Sequence, residues 1–293
     1  MIPYRGEILS IISAVAWAAA VILFRISGRK VNPLALNLFK STIAALLLLA
    51  TAWLASPARS LEDWRTMSIL VLSGLFGIAL SDTLFFVCLN KLGASLTAII
   101  ECLYSPFVIV LSLFFLGEVM KLRQIGGVIL ILAAVMIITW RREEKRSSGK
   151  LTTGIIAGIL SMFFMAAGIV MVKPLLTDVP ILWTAAVRMS GGAFFLVLAG
   201  LFHPSRWTVF QPLRARENWA VMSAASLIGA YGGIIAWVAG MKWTAASIAA
   251  PLNQLSTIFI FIFAVIFLKE KLTPGRLIAL LMAFAGAILA SWA

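Results

Sequence analysis

Apolar stretches of 18 or more residues recur from one end of this sequence to the other. In hydrocarbon no water is present to satisfy the backbone, so a stretch of that kind folds as a helix. Eighteen to twenty residues rise about 30 Å, the thickness of the bilayer core. The turn chemistry between the stretches sets ten expected spans: 7–27, 33–55, 66–89, 94–116, 122–140, 151–173, 180–202, 217–240, 245–268 and 273–292. The expected fold class is an all-α membrane protein of about ten transmembrane helices. Composition agrees, with 62% hydrophobic and 12% charged residues. Soluble proteins carry about 25% charged residues, so the apolar excess here must face lipid. The first stretch begins like a signal peptide after Arg5, yet it runs on to about Ser27 and similar spans follow. A retained first helix is expected.

The formal charge of +13 would suggest nucleic acid in a soluble protein. In a membrane chain, basic loops instead fix orientation and meet anionic headgroups. No basic patch alternates with aromatics, so no nucleic-acid partner is expected. Cys88 and Cys102 lie inside apolar runs and read as small core residues rather than a disulfide or metal pair. One histidine, His203, cannot build a metal or haem site alone. No metal and no cofactor are expected. The sequence has no DxxxD or HExxH pattern, so a membrane enzyme is not expected. The loops are too short for a receptor or scaffold.

One polar linker, residues 141–150, falls at the midpoint. Comparing the halves at an offset of 152 pairs Ala94-Ser95 with Ala246-Ser247, Phe115-Leu116 with Phe267-Leu268, and Glu118 with Glu270. Nearer the start of each half the offset is 148, pairing Ser13 with Ser161, Arg25 with Lys173 and Lys40 with Arg188. The expected units are therefore residues 1–146 and 147–293, five spans each. An odd number of spans forces the second unit to enter the membrane upside down. Inverted repeats are the architecture of alternating access, although duplication also builds inert bundles.

The segment Ala94-Ser95 … Pro106 … Phe115-Leu116-Gly117-Glu118, repeated as Ala246-Ser247 … Leu268-Lys269-Glu270, resembles the EamA repeat of the drug/metabolite transporter superfamily. A basic residue following a proline at the start of spans two and seven (Pro33 to Lys40, Pro180 to Arg188) is similar too. The second half departs by lacking a proline matching Pro106, with Pro251 seven positions earlier, and the first half has Lys40 where Arg is usual. The resemblance implies ten helices and a central cavity walled largely by spans three, four, eight and nine. It also implies export of amino acids or other metabolites, with the YddG-type aromatic amino-acid exporters as the nearest branch.

Ionisable groups inside a span are functional candidates because stranding them in lipid is expensive. Four qualify: Lys40, Asp82, Glu101 and Arg188. The first three each lie seven residues from the same membrane face, about 10 Å deep. Asp82 or Glu101 can draw Lys40 to itself, while Lys40 can also snorkel to the interface. Either acid can also be a satisfied contact in the bundle. In the second half Trp237 stands for Asp82 and Asn253 for Glu101, so the expected site is symmetric in layout but not in chemistry. The expected substrate-binding set is Asp82, Glu101, Tyr104, Trp237, Asn253, Gln254, Trp17 and Trp183. Lys40, Arg188, Pro106 and Pro251 are the expected charge-network or gating residues, the prolines because they free backbone carbonyls.

The expected function is export of small metabolites, foremost amino acids, by alternating access. A flippase for a lipid-linked sugar and a multidrug exporter are the alternatives. Expected partners are a small-molecule substrate and the lipid bilayer, the protein acting as a monomer in the bacterial inner (plasma) membrane. Orientation is contested. Loops on the side of the central linker hold fifteen Lys and Arg against seven on the other, which places both termini outside. The family resemblance implies termini in the cytoplasm.

Overall fold

Short caps start the helices where the sequence offers them. Asn32 accepts from the Leu34 N–H (2.9 Å) ahead of Pro33, whose missing N–H suits a first helical position. Asp63 accepts from the N–H groups of Arg65 and Thr66 at 3.1 and 3.0 Å. The computed structural model describes residues 4–55, 63–117, 122–140, 148–204, 207, 210–211, 216–243, 252–271 and 273–291. Among them there is no strand.

Among the described residues, seven helices are long and apolar enough to cross a membrane. In chain order the helices are α1 (Arg5–Ser27), α2 (Pro33–Ala55), α3 (Trp64–Leu92), α4 (Ala94–Leu116), α5 (Leu122–Trp140), α6 (Ser148–Val172), α7 (Ile181–Phe202), α8 (Trp219–Gly240), α9 (Leu252–Leu268) and α10 (Pro274–Ser291). α5, α9 and α10 are the shorter apolar ones. Large apolar side chains stand on the outside, with Leu122 84% and Phe202 83% exposed. In water such a surface would aggregate, whereas in a bilayer it is the face that meets acyl chains.

Packing pairs the helices in a regular way. α2 lies on α7 and α5 on α10; α1 packs against α8 and α9, and α6 against α3 and α4. The α5–α10 crossing is close enough that a Cβ on Gly127 would meet the Gly286 carbonyl at 2.5 Å, and one on Gly286 would meet the Gly127 carbonyl at 2.7 Å. Small residues permit this backbone approach, which van der Waals packing in lipid requires.

Two helices carry an internal π-turn: Leu75–Leu80 in α3 and Ser226–Gly233 in α8. The wider turn disturbs the ladder of backbone bonds, and hydroxyls from neighbouring helices fill in. Ser161 of α6 donates to the Ser81 carbonyl at 2.8 Å, and Ser13 of α1 donates to the Gly233 carbonyl at 2.9 Å. α4, expected as one continuous helix, is interrupted at Cys102-Leu103. There the N–H groups reach back only three residues, to Ile99 and Ile100. Pro106 causes the break, since it supplies no N–H to bond the Cys102 carbonyl. α9 turns at Leu255, whose N–H bonds the Leu252 carbonyl.

Candidate functional site

On α2 the residues Asn37, Lys40 and Ser41 share one face, at i, i+3 and i+4. The π-turn of α3 sits opposite. Asn37 Nδ2 donates to the carbonyls of Ile78 and Ala79 at 2.9 and 3.3 Å and to Thr83 Oγ1 at 2.9 Å. Ser41 then donates to Asn37 Oδ1 at 3.1 Å. This clamp fixes the α3 backbone just before Asp82, whose carboxylate receives Lys40 Nζ in a buried ion pair. Lys40 is 3% exposed, and its ammonium lies 5.7 Å from the centre of the Phe86 ring. Lys40 therefore pairs with Asp82 and does not snorkel. Of the two partners open to it from the sequence, Glu101 is taken elsewhere.

Glu101 ends the first segment of α4. Its Oε1 accepts from the Trp17 indole N–H of α1 at 2.8 Å, while Oε2 is buried with no hydrogen-bond partner among the described residues. The Trp17 ring leans on Phe85 at 6.0 Å between centroids. Gln254 of α9 reaches the break in α4, its Nε2 lying 3.9 Å from Cys102 Sγ.

Arg188 comes from α7 across the π-turn of α3. Its Nη2 lies 3.0 Å from where a Cβ on Gly77 would stand, so the guanidinium passes close over that glycine. Its Nε is buried and has no hydrogen-bond partner among the described residues. Residues of both halves thus come together where Gln254 reaches Cys102 and where Arg188 crosses Gly77.

The remaining expected site residues are placed less centrally. Trp183 is 8% exposed within the apolar packing beside Val179, Val187 and Ala230. Trp237 and Asn253 are half-buried on α8 and α9. Pro106 is buried at the break it causes, and Pro251 lies outside the described residues. The sequence reading missed Asn37, although its spacing from Lys40 was a signal. It also missed the two π-turns, for which no residue type gives warning.

Comparison with known proteins adds the following. The model of a family described as the EamA-like transporter family matches residues 4–140 and again residues 152–292. An uncharacterized transporter of Archaeoglobus fulgidus is 24% identical over 272 residues, covering 93% of this chain and 92% of its own length. The uncharacterized transporter YvbV of Bacillus subtilis is 25% identical over 145 residues, which is 49% of this chain and 47% of that one. A solved structure described only as the crystal structure of a protein superposes with a TM-score of 0.67 at 17% identity, covering 97% of this chain and 96% of that one. That last likeness bears on the fold alone. The finer YddG-type assignment has no support among these matches.

Proposed function

Since the chain belongs to the EamA-like transporter family, we propose that this integral, multi-pass membrane transporter exports small metabolites, foremost amino acids, by alternating access. The observation that carries the reading is that two buried polar atoms, Glu101 Oε2 from one half and Arg188 Nε from the other, have no hydrogen-bond partner among the described residues. An unsatisfied buried charge is costly, by several kcal/mol. A zwitterion answers both, its ammonium to the glutamate and its carboxylate to the guanidinium. Lys40 and Asp82 neutralise one another and set the frame.

Two inverted repeats of five helices, residues 1–146 and 147–293, underlie the mechanism. The two stretches matched by the family model support that division. So does the helix pairing, which is unchanged when α1–α5 are exchanged with α6–α10. The hydroxyl bonds agree as well: Ser13 to Gly233 becomes Ser161 to Ser81 under the same exchange. That equivalence sets Asp82 opposite Ile234, three residues before the Trp237 assigned from sequence. The acid then has an aliphatic counterpart, which deepens the chemical asymmetry of the site.

The flippase reading also has an observation in its favour. An apolar groove of about 350 Å³, lined by Leu38, Val197, Gly200, Leu201, Trp207, Phe210 and Gln211, opens between α2 and α7. Efflux of a panel of amino acids from proteoliposomes separates the two. Export of amino acids that falls at least tenfold in Glu101→Gln, with expression and monodispersity intact, is the expected result. Scrambling of a fluorescent polyprenyl or phospholipid headgroup, with no amino-acid efflux, would replace this reading by the flippase.

A further inference from the structure

We propose that Glu270 is a latch that holds one end of the transport path shut by capping the first segment of α4. The proposal rests on the alternating-access reading above. α9 ends on Lys269 in the left-handed conformation (φ 53), and the Glu270 N–H bonds back to the Ala264 carbonyl at 3.1 Å. This turn aims the Glu270 side chain at the neighbouring repeat. Its carboxylate accepts from the Ala94 N–H at 2.8 Å and the Ser95 N–H at 3.2 Å. Those are orphan donors of the α4 N-terminus, where the helix dipole also favours an anion.

The approach depends on Gly93. It has φ 89, a conformation that favours glycine, and a Cβ there would lie 2.6 Å from Glu270 Oε1. Cations surround the contact. Arg276 Nη1 is 3.9 Å from Glu270 Oε2 and donates to the Lys271 carbonyl at 3.0 Å. Arg25, which also acts on Glu270 electrostatically, donates to the Asn90 carbonyl at 2.9 Å. Arg25 thus ties the end of α1 to the end of α3, and Glu270 ties the start of α4 to the α9–α10 turn. By the alternation of helix direction all four lie at one end of the bundle.

One flexible side chain makes the tie, so it can be released without unfolding either repeat. Its two bonds join the fourth helix of one repeat to the helix end of the other, and opening this end must part those elements. The opposite end has the matching turn: Gly117, 152 residues before Lys269, is left-handed too (φ 66).

Paired nitroxide labels test the latch in the full chain, with Cys88 and Cys102 replaced by alanine and the protein in nanodiscs. Lys91→Cys with Phe267→Cys reports the latched end. Phe115→Cys with Trp243→Cys, the positions related to them by the offset of 152, report the other. Removing two charge-assisted bonds in Glu270→Ala is expected to shift the 91–267 distances toward the longer population about tenfold, with the 115–243 distances shortening. Glu270→Gln keeps one acceptor oxygen and falls between; it carries the test if the alanine variant does not fold. Unchanged 91–267 distances in both variants would overturn the latch, and inverse exchange of the two pairs in the wild type would then leave alternating access standing. Lengthening at 91–267 with 115–243 unmoved supports the latch and overturns alternating access.

Discussion

Lys40 and Asp82 neutralise each other where neither alone is tolerable, and that makes their separate removal informative. Lys40→Met leaves a buried carboxylate and Asp82→Asn a buried ammonium, each expected to destabilise by about 3–5 kcal/mol. The double variant Lys40→Met/Asp82→Asn recovers most of that loss. Thermal unfolding in detergent measures all three, and a double variant as unstable as the sum of the singles would mean the two charges are not coupled. A second test concerns backbone strain. Lys269 holds φ 53, which glycine adopts freely and lysine does not. Lys269→Gly is therefore expected to stabilise by about 1 kcal/mol in the same assay, while a loss of stability would show that the lysine side chain outweighs the strain.

At the level of elements, Ser13 and Ser161 each bond a carbonyl at the C-terminal end of a π-turn, places that the proposed repeats make equivalent. Ser13→Ala and Ser161→Ala are expected to destabilise by similar amounts, about 0.6 kcal/mol each in a membrane setting. A large inequality in unfolding midpoints would argue against equivalence. The start of α3 gives a pH test. Hydrogen bonds from the Thr66 side chain, the Thr66 N–H and the Arg65 N–H hold the Asp63 carboxyl below its usual range. A depressed carboxyl contributes stability above its unfolded pKa, about 3.9, and that contribution is lost as pH falls through the lower folded value. Protection of the first-turn amides of α3 against hydrogen exchange, taken relative to their intrinsic rates, is expected to fall on acidification into that window, and Asp63→Asn to abolish that pH dependence of protection. Helix existence was legible because span length is a local signal. Matched depth left Lys40 open to Asp82, to Glu101 or to the interface, and the packing of α2 on α3 decides for Asp82. The bond from Trp17 to Glu101 was not, because depth says nothing of which face of α1 meets α4. The π-turns were not foreseen, since they answer to neighbouring helices, whereas the break in α4 follows from Pro106, a local signal.

For the whole molecule, the charge count and the family resemblance disagree about sidedness. Fifteen basic residues lie on the linker side against seven opposite, so both termini are expected outside. A C-terminal alkaline phosphatase fusion should be active and a green fluorescent protein fusion dark; the reverse pattern would put the termini in the cytoplasm. The π-turn of α3 has a consequence for how the chain can change length. It sits between the Asp63 cap and Asp82, so it sets the angular phase of everything that follows it. Each helical residue advances the side chains by about 100°. Deleting one residue among Leu75–Leu80 would swing Asp82 off the face that meets Lys40, although no charged residue had been touched. A compensating insertion between that turn and Asp82 would bring the acid back. Homologous chains that gain or lose residues here are thus expected to do so in balanced pairs, so that the sequence drifts in length while the acid keeps its bearing.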